Sequence, residues 1–311
     1  MKYRALVSAL SIRHAAHSAA QQAADLERLL ADGADGLIVS AVGAETIAPV
    51  LAAAERRGVP IVLVDRGLPD SIPHASFVTC DDDVIGATTA LWLAEHLGGR
   101  GGVVLLSGLA EAEPAQRRLN AARAVFQQFP DIQVLAAEWT GWQRSAGDRV
   151  MRSCVDRFGE GIAGVWCDSG LQAAGSLRAF LRRRRRSHIP PHTGGDLNLV
   201  YKLAVRHNIP LAAVDYPPAM GLRAVEVLLD LLRGRTVPRR VDVDTETVVT
   251  RHHATASVEP DLWADEHVRW DLPDDLILAS GLGASYDPRS FRVRYRGARY
   301  NRSAAVRPAL P

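Results

Sequence analysis

Apolar runs alternate with amphipathic stretches along most of the chain. Gly36-Leu37-Ile38-Val39-Ser40 and Pro60-Ile61-Val62-Leu63-Val64 are runs of branched aliphatics that open on Gly or Pro and flank an Ala-rich helical stretch. Such runs predict strands buried on both faces, which belong to parallel sheets covered by helices. The second run leads directly into Asp65-Arg66. A carboxylate with two acceptor oxygens and a guanidinium with five fixed donors therefore stand at the carboxyl edge of a βαβ unit, where open α/β sheets hold ligands. The pair suits a small molecule rich in hydroxyls; a surface ion pair at a strand end is the plainer reading.

The alternation continues. Strands are expected at 5–9, 76–79, 103–106, 134–137, 164–167 and 211–214, and helices at 21–30, 47–57, 84–97, 116–126, 145–158, 171–184 and 219–232. The helix at 21–30 carries Leu26, Leu29 and Leu30 on one face and stops at Gly33, and that at 84–97 is closed by Gly98-Gly99. Repeated βαβ units with short loops mean doubly wound parallel sheets, and the strands are too many for one small sheet, so two α/β lobes are expected. Residues 241–249 alternate as one edge or crossing strand would. Beyond 261 the pattern changes, and 290–296 alternates with period two before a polar, Pro-containing end, which reads as a tail.

Composition narrows the chemistry. The 311 residues are 47% hydrophobic and 23% charged with a net charge of +2, which is ordinary for a soluble globular protein and indicates no nucleic acid or other polyanion as partner. Cys80, Cys154 and Cys167 are an odd count without CxxC spacing. They read as buried small apolar residues rather than as a disulfide framework or zinc site. No apolar stretch of about 18 residues exists, which excludes a transmembrane helix, and the first residues lack the core and cleavage site of a signal peptide. By itself such a chain would stay in the cytoplasm. The five arginines 182–186 end a helix, where cations suit the dipole, and read as solvated. His14 and His17, His188 and His192, and His252-His253 have metal-like spacings but no carboxylate or Cys partner, so no metal is expected. Gly98-Gly99-Arg100-Gly101-Gly102 precedes a strand, the wrong order for a phosphate loop. No cofactor is indicated, and no nucleophile motif is present.

Several segments, in order, carry a resemblance. They are Gln22 leading into 29–39, then 59–66, Asp82-Asp83-Val84-Ile85-Gly86, Val103 to Gly108, the Arg117-Arg118 region, Trp142, Gly164 to Asp168, Tyr216-Pro217-Pro218 with Gly221, and Val248-Val249-Thr250. Over roughly residues 5–255 they resemble the periplasmic sugar-binding proteins of the ribose-binding type, a type I periplasmic-binding-protein fold. The resemblance implies two doubly wound lobes joined by three crossing strands. They would comprise 1–81 with 216–245 and 82–215 with 246–285, leaving 286–311 as tail. It implies a monomer that closes on a sugar or polyol in the periplasm and hands it to the permease of an ABC transporter. Position by position, it places Ser40, Asp65, Arg66, Asp82, Arg117 or Arg118, Trp142, Ser169, Asp196 and Asp215 around the ligand, with Trp142 stacking on the sugar ring.

That set suits a sugar, whose C–H face needs flat aromatic surface and whose hydroxyls need charge-assisted donors and acceptors. Inert readings stand beside it. Trp142 could fill a helix–sheet gap, Asp196 could cap a turn, Ser40 could be a plain strand-end serine, and Asp83 reads as a helix cap. Relatives begin with one further strand and helix, so the first βα unit and a leader are expected to be missing here, with the true start upstream. Ser169-Gly170 replaces a usual Asn-Asp pair. Two other functions remain open on sequence: the effector domain of a sugar-responsive transcription regulator, which would need a helix-turn-helix, and an enzyme using Asp65, Asp82 or Asp196 as acid and base on a carbohydrate.

Overall fold

The structure, a computed structural model, describes residues 6–182, 189–195, 197–216, 219–251 and 254–257, together with 268, 270, 274–275, 286–287 and 292–293. The chain forms two units, Met1–Asp81 with Pro218–Val243 and Asp82–Pro217 with Asp244–Pro311. It opens in the first with α1 (Ala19–Ala31), β1 (Leu37–Val39), α2 (Ala44–Arg56), β2 (Ile61–Val64) and β3 (Ser76–Thr79). The second unit follows with α3 (Asp82–His96), β4 (Arg100–Ser107), α4 (Glu113–Phe126), β5 (Asp131–Trp139), α5 (Arg144–Phe158), β6 (Ile162–Cys167), α6 (Gly170–Leu181), β7 (His192–Thr193), α7 (Asn198–His207) and β8 (Leu211–Asp215). The chain returns to the first unit for α8 (Ala219–Leu232) and β9 (Arg240–Asp242). It ends in the second with β10 (Glu246–Arg251), β11 (Ala254–Ser257) and the small antiparallel pair β12 (Tyr286–Asp287) and β13 (Arg292–Val293).

In the first unit the strands run parallel in the order β1-β2-β3-β9. Ser18 caps α1, its hydroxyl oxygen accepting the Gln21 N–H at 3.2 Å. Leu26 and Leu30 of α1 and Ile47, Val50 and Leu51 of α2 share one core with Leu37, Val39, Ile61 and Leu63. Val62 points to the opposite face by strand alternation and is equally buried, and α8 packs along β1, β2 and β3. Burial on both faces is why these strands read as unbroken apolar runs.

The second unit is a seven-stranded sheet ordered β11-β10-β8-β7-β6-β4-β5, parallel except for β10 and β11. Neighbouring residues feed two cores. Val104, Leu106, Val165 and Cys167 pack with α5, α6 and α7, while Val103, Leu105 and Trp166 pack with α3 and α4. From β4 the chain leaves to β5 on one side and then reappears at β6 on the other, so strand order reverses between β4 and β6. Ligands of open α/β sheets sit at such reversals.

Within this core, His192 of β7 is fully buried. Its Nδ1 lies 2.7 Å from the Pro190 carbonyl oxygen and its Nε2 2.8 Å from Ser176 Oγ. A carbonyl only accepts, so Nδ1 carries the proton and Nε2 accepts from the hydroxyl. Burial pushes this imidazole down to about 4, against the pull of the Pro190 carbonyl. The three cysteines are buried, as their spacing suggests.

Several expectations need correction. No strand forms at 6–9, and Leu6, Leu10 and Ile12 are exposed; Ala5 lies outside the described residues. The run offers only Leu6 and Val7 as bulky apolar groups, and no strand among the described residues pairs with it, so nothing offsets the cost of ordering it. Residues 241–249 are not one strand. They contribute to β9 in one sheet and β10 in the other, on either side of the passage between units at Val243. Both β7 and α7 escaped the pattern, β7 because two residues behind a Pro-Pro pair show no periodicity. Arg182 closes α6 as its C-cap, and 183–186 lie outside the described residues. Among the described residues, no helix is long and apolar enough to cross a membrane, and no three His, Cys, Asp or Glu side chains gather as a metal site would need.

Candidate functional site

In the second unit, the carboxyl ends of β4 and β6 meet where strand order reverses. Gly108 follows β4 and Asp168 follows β6, and the Gly108 N–H donates to Asp168 Oδ2 at 2.9 Å. The chain leaving β5 is stitched alongside: Thr140 N–H donates to the Ser107 carbonyl at 2.8 Å and Gly141 N–H to the Gly108 carbonyl at 2.9 Å. This places Trp142 directly on Gly108, where a Cβ would collide with the indole. Trp142 adopts φ +55°, an outlier for a bulky residue, and its indole N–H donates to Asp168 Oδ1 at 3.1 Å. Gln172, in the first turn of α6, donates to that same oxygen and to the Leu106 carbonyl at 3.2 Å.

A second glycine brings the arginine in. Gly86 lies one turn after Asp82 on α3, and a Cβ there would strike the backbone of Arg118, so α4 can lie directly against α3. Arg118 Nε then donates to Asp82 Oδ1 at 2.7 Å and Nη1 to the Asp168 carbonyl at 3.2 Å, with the guanidinium carbon 4.6 Å from the centre of the Tyr216 ring. Arg118 and Asp82 are 6% and 3% exposed, so this ion pair is held away from solvent screening. Burial opposes the charge on Arg118, but Asp82, then Asp168 and Tyr216, outweigh it and hold the guanidinium more firmly charged than usual. Burial raises the Asp168 carboxyl above its ordinary value, while Arg118 and the three donors pull it back. Among the described residues, the buried Ser107 Oγ and Gln172 Oε1 lack a hydrogen-bond partner.

The first unit presents a looser set. Ser40 follows β1 and Asp65 follows β2, and Ser40 Oγ donates to Asp65 Oδ2 at 3.3 Å. Arg66 Nε stands 3.8 Å from the same oxygen, with side-chain exposures of 21% for Arg66 and 34% for Asp65. Asp65 also has positive φ, +67°, which its short polar side chain tolerates. Its backbone is pinned to β3: its N–H donates to the Val78 carbonyl at 3.0 Å and its carbonyl accepts from Thr79 Oγ1 at 3.2 Å. From α1, Gln22 donates to the Ser40 carbonyl at 2.8 Å and accepts the Val42 N–H at 2.7 Å, fixing the loop after β1.

The sequence candidates thus part company. Ser40, Asp65 and Arg66 come together in the first unit, and Asp82, Arg118 and Trp142 in the second. Arg117 turns away from the cluster to pair with Asp83 at 2.5 Å and Glu113 at 3.8 Å, because successive helical residues point about 100° apart. Asp83 is accordingly inside the first turn of α3 and not its cap. Ser169 caps α6, its hydroxyl oxygen accepting the Leu171 N–H at 3.3 Å. Asp215 ends β8 opposite Glu246, and Asp196 lies outside the described residues. Sequence reasoning missed Asp168, Gln172, Gln22 and Tyr216 as members of these sets. Gln22, Asp168 and Tyr216 stand in the segments that carry the resemblance, and Asp168 had a further signal as a carboxylate directly behind an apolar strand run.

Comparison with known proteins follows the same outline. A family model described as periplasmic binding protein domain matches residues 4–236. The xylitol-binding protein of Mycolicibacterium smegmatis is 31% identical over 169 residues, 54% of this chain and 48% of that protein, so the chain spans about half its length. The ribose import binding protein of Haemophilus influenzae is 22% identical over 229 residues, 74% of this chain and 77% of the relative. Among solved structures, an ABC transporter solute binding protein from Mycobacterium smegmatis with bound glycerol superposes with a TM-score of 0.71 at 24% identity, covering 79% of this chain and 85% of that one. A periplasmic solute binding protein from Actinobacillus succinogenes with bound D-allose gives 0.67 at 22% identity, covering 75% and 83%. These two structures agree with the two-unit α/β fold, and the model match extends from the start of the first unit through the whole of the α3–β8 block and α8. The chain belongs to the periplasmic binding protein domain family.

Proposed function

We propose that this protein binds a neutral sugar or polyol and, as a monomer in the periplasm, delivers it to the permease of an ABC transporter, without chemistry of its own and without nucleic acid. The observation that carries this reading is the saturated cluster of Asp82, Arg118, Asp168 and Trp142 at the β4/β6 reversal. Its carboxylates are committed as acceptors, Asp82 to Arg118 and Asp168 to three donors, which suits orienting the guanidinium and the indole for a ligand better than delivering a proton. Aromatic surface beside charge-assisted hydrogen-bonding groups is what a sugar's two chemical faces require. The relatives support the ligand class: one is named for xylitol and one for ribose, and solved neighbours hold glycerol and D-allose.

A thermal-shift screen against xylitol, glycerol, D-ribose and D-allose tests it, because a ligand that binds only the folded state raises the melting temperature by mass action. At least one is expected to raise it dose-dependently and to be recovered unchanged after incubation. No shift with any of the four at ten millimolar, or conversion of the sugar to a product, overturns the reading.

A further inference from the structure

We propose that Asp168 is a positioning residue for binding, which fixes the plane of the Trp142 indole through the indole N–H and the Gly108 N–H and thereby offers a ligand an aromatic surface already in place. The inference rests on the sugar or polyol reading and deepens it. Four features of the second unit meet at this side chain. Trp142 is held at φ +55°, a conformation that a bulky residue keeps only when its surroundings over-determine it. The indole lies on Gly108 so closely that no larger residue fits beneath it. Asp168 joins both halves of that contact, since Oδ2 accepts from the Gly108 N–H at 2.9 Å and Oδ1 from Trp142 Nε1–H at 3.1 Å.

The carboxylate is itself clamped. Gln172 directs its amide nitrogen at Asp168 Oδ1 and at the Leu106 carbonyl, while its own Oε1 is buried with no partner among the described residues. An arrangement that leaves an acceptor unsatisfied in order to hold another group marks that group's orientation as the constrained quantity. The main chain of the same residue accepts from Arg118 Nη1, so one short segment sets both the aromatic plane and the guanidinium. Rotation of the Asp168 carboxylate would release the indole N–H and leave the strained backbone of Trp142 unsupported.

The test uses the full chain with Asp168→Ala and Asp168→Asn, alone and in a Trp142→Phe background. The 15N-labelled indole N–H signal of Trp142, identified as the one of the six tryptophan signals lost in Trp142→Phe, is read without ligand. Affinity for whichever of xylitol, glycerol, D-ribose or D-allose binds is read by calorimetry. Asp168→Ala is expected to speed exchange of that indole hydrogen at least tenfold and to weaken binding about tenfold to hundredfold, the range of a hydrogen bond to a charged group. Asp168→Asn keeps one acceptor and is expected to recover part of both. With Phe at 142 there is no indole N–H to hold, so Asp168→Asn should cost no further affinity, an outcome that general destabilisation would not give. An indole signal unmoved in Asp168→Asn, or in a folded Asp168→Ala, overturns the proposal, as does an equal loss of affinity in both backgrounds. Should none of the four sugars bind the wild type, the sugar reading fails, while the indole signal still decides the role of Asp168.

Discussion

The two units hold their strand-end polar groups in opposite ways. In the first, Ser40, Asp65 and Arg66 are spaced at 3.3 and 3.8 Å and the ion pair is a fifth to a third exposed. In the second, Asp82, Arg118 and Asp168 are buried within a closed set of hydrogen bonds. Each set includes a non-glycine residue at positive φ, Asp65 in one and Trp142 in the other. The same location, the carboxyl edge of a parallel sheet, therefore yields an adaptable set or a rigid one according to whether helices close over it. Rigidity comes from Gly86, which lets the α4 backbone press on α3, whereas the close approach in the first unit, Gly43 against Ala19, joins the start of α2 to the start of α1 beside the loop after β1.

The largest test of this contrast removes one arginine from each unit. Arg118→Ala leaves Asp82 as a buried charge without its guanidinium, and about 3–5 kcal/mol of stability should be lost in urea unfolding. Arg66→Ala should cost less than about 1 kcal/mol, because a partly exposed pair is screened and entropically expensive to hold. Similar losses for the two variants would erase the distinction between the units.

Acid should act on the second unit through His192. Its imidazole titrates near 4 when folded against 6.5 as an ordinary value, so the unfolded chain takes up a proton first as pH falls. Stability is then complete above about 6.5, declines through that window and levels off below about 4, for a total near 3 kcal/mol. His74 of the first unit is shifted down by burial and adds in the same direction. Asp168, shifted up, works the other way, since its folded form takes up a proton before the unfolded chain does. The difference between wild type and His192→Gln in urea midpoints measured from pH 7 to pH 4 isolates the His192 share. Parallel pH profiles for the two proteins would show that this imidazole is not the group responsible.

Smaller effects separate the two sets at their loops. Gly108→Ala forces the Trp142 indole off its seat and should cost about 1–3 kcal/mol, as overpacking does, together with most sugar affinity. Gln22→Ala removes two hydrogen bonds that fix the loop after β1, for about 1 kcal/mol, with a milder loss of affinity. Calorimetry of both variants ranks them. A larger affinity loss for Gln22→Ala would make the first unit the more exacting one.

Apart from α7 and β7, the helices and central parallel strands were legible because those strands are buried on two faces, so the branched aliphatics of 37–39, 61–64 and 103–106 announce themselves. The failures have specific causes. Residues 241–249 serve two sheets within one alternating stretch, and periodicity carries no record of which partner a strand meets. The short run at 5–9 has strand composition, yet pairing with a neighbour is a non-local condition. The places of Ser40 and Asp65 behind strand runs, and of Asp82 at the start of a helix, were readable from position. The choice between Arg117 and Arg118 was not, because it turns on which face of α4 meets Gly86. Asp168 and Gln172 were invisible as a clamp, since hydrogen bonds joining β4, β5 and α6 arise only once the sheet has assembled.

The burial of Cys80, Cys154 and Cys167 has a practical side. Burial also raises the thiols of Cys154 and Cys167, so neither readily supplies the thiolate that maleimides attack. Gln143, exposed and next to Trp142, could then be exchanged for the sole reachable thiol, and a solvent-sensitive dye placed there would make the native chain into an optical gauge of occupancy without first stripping out its own sulfurs.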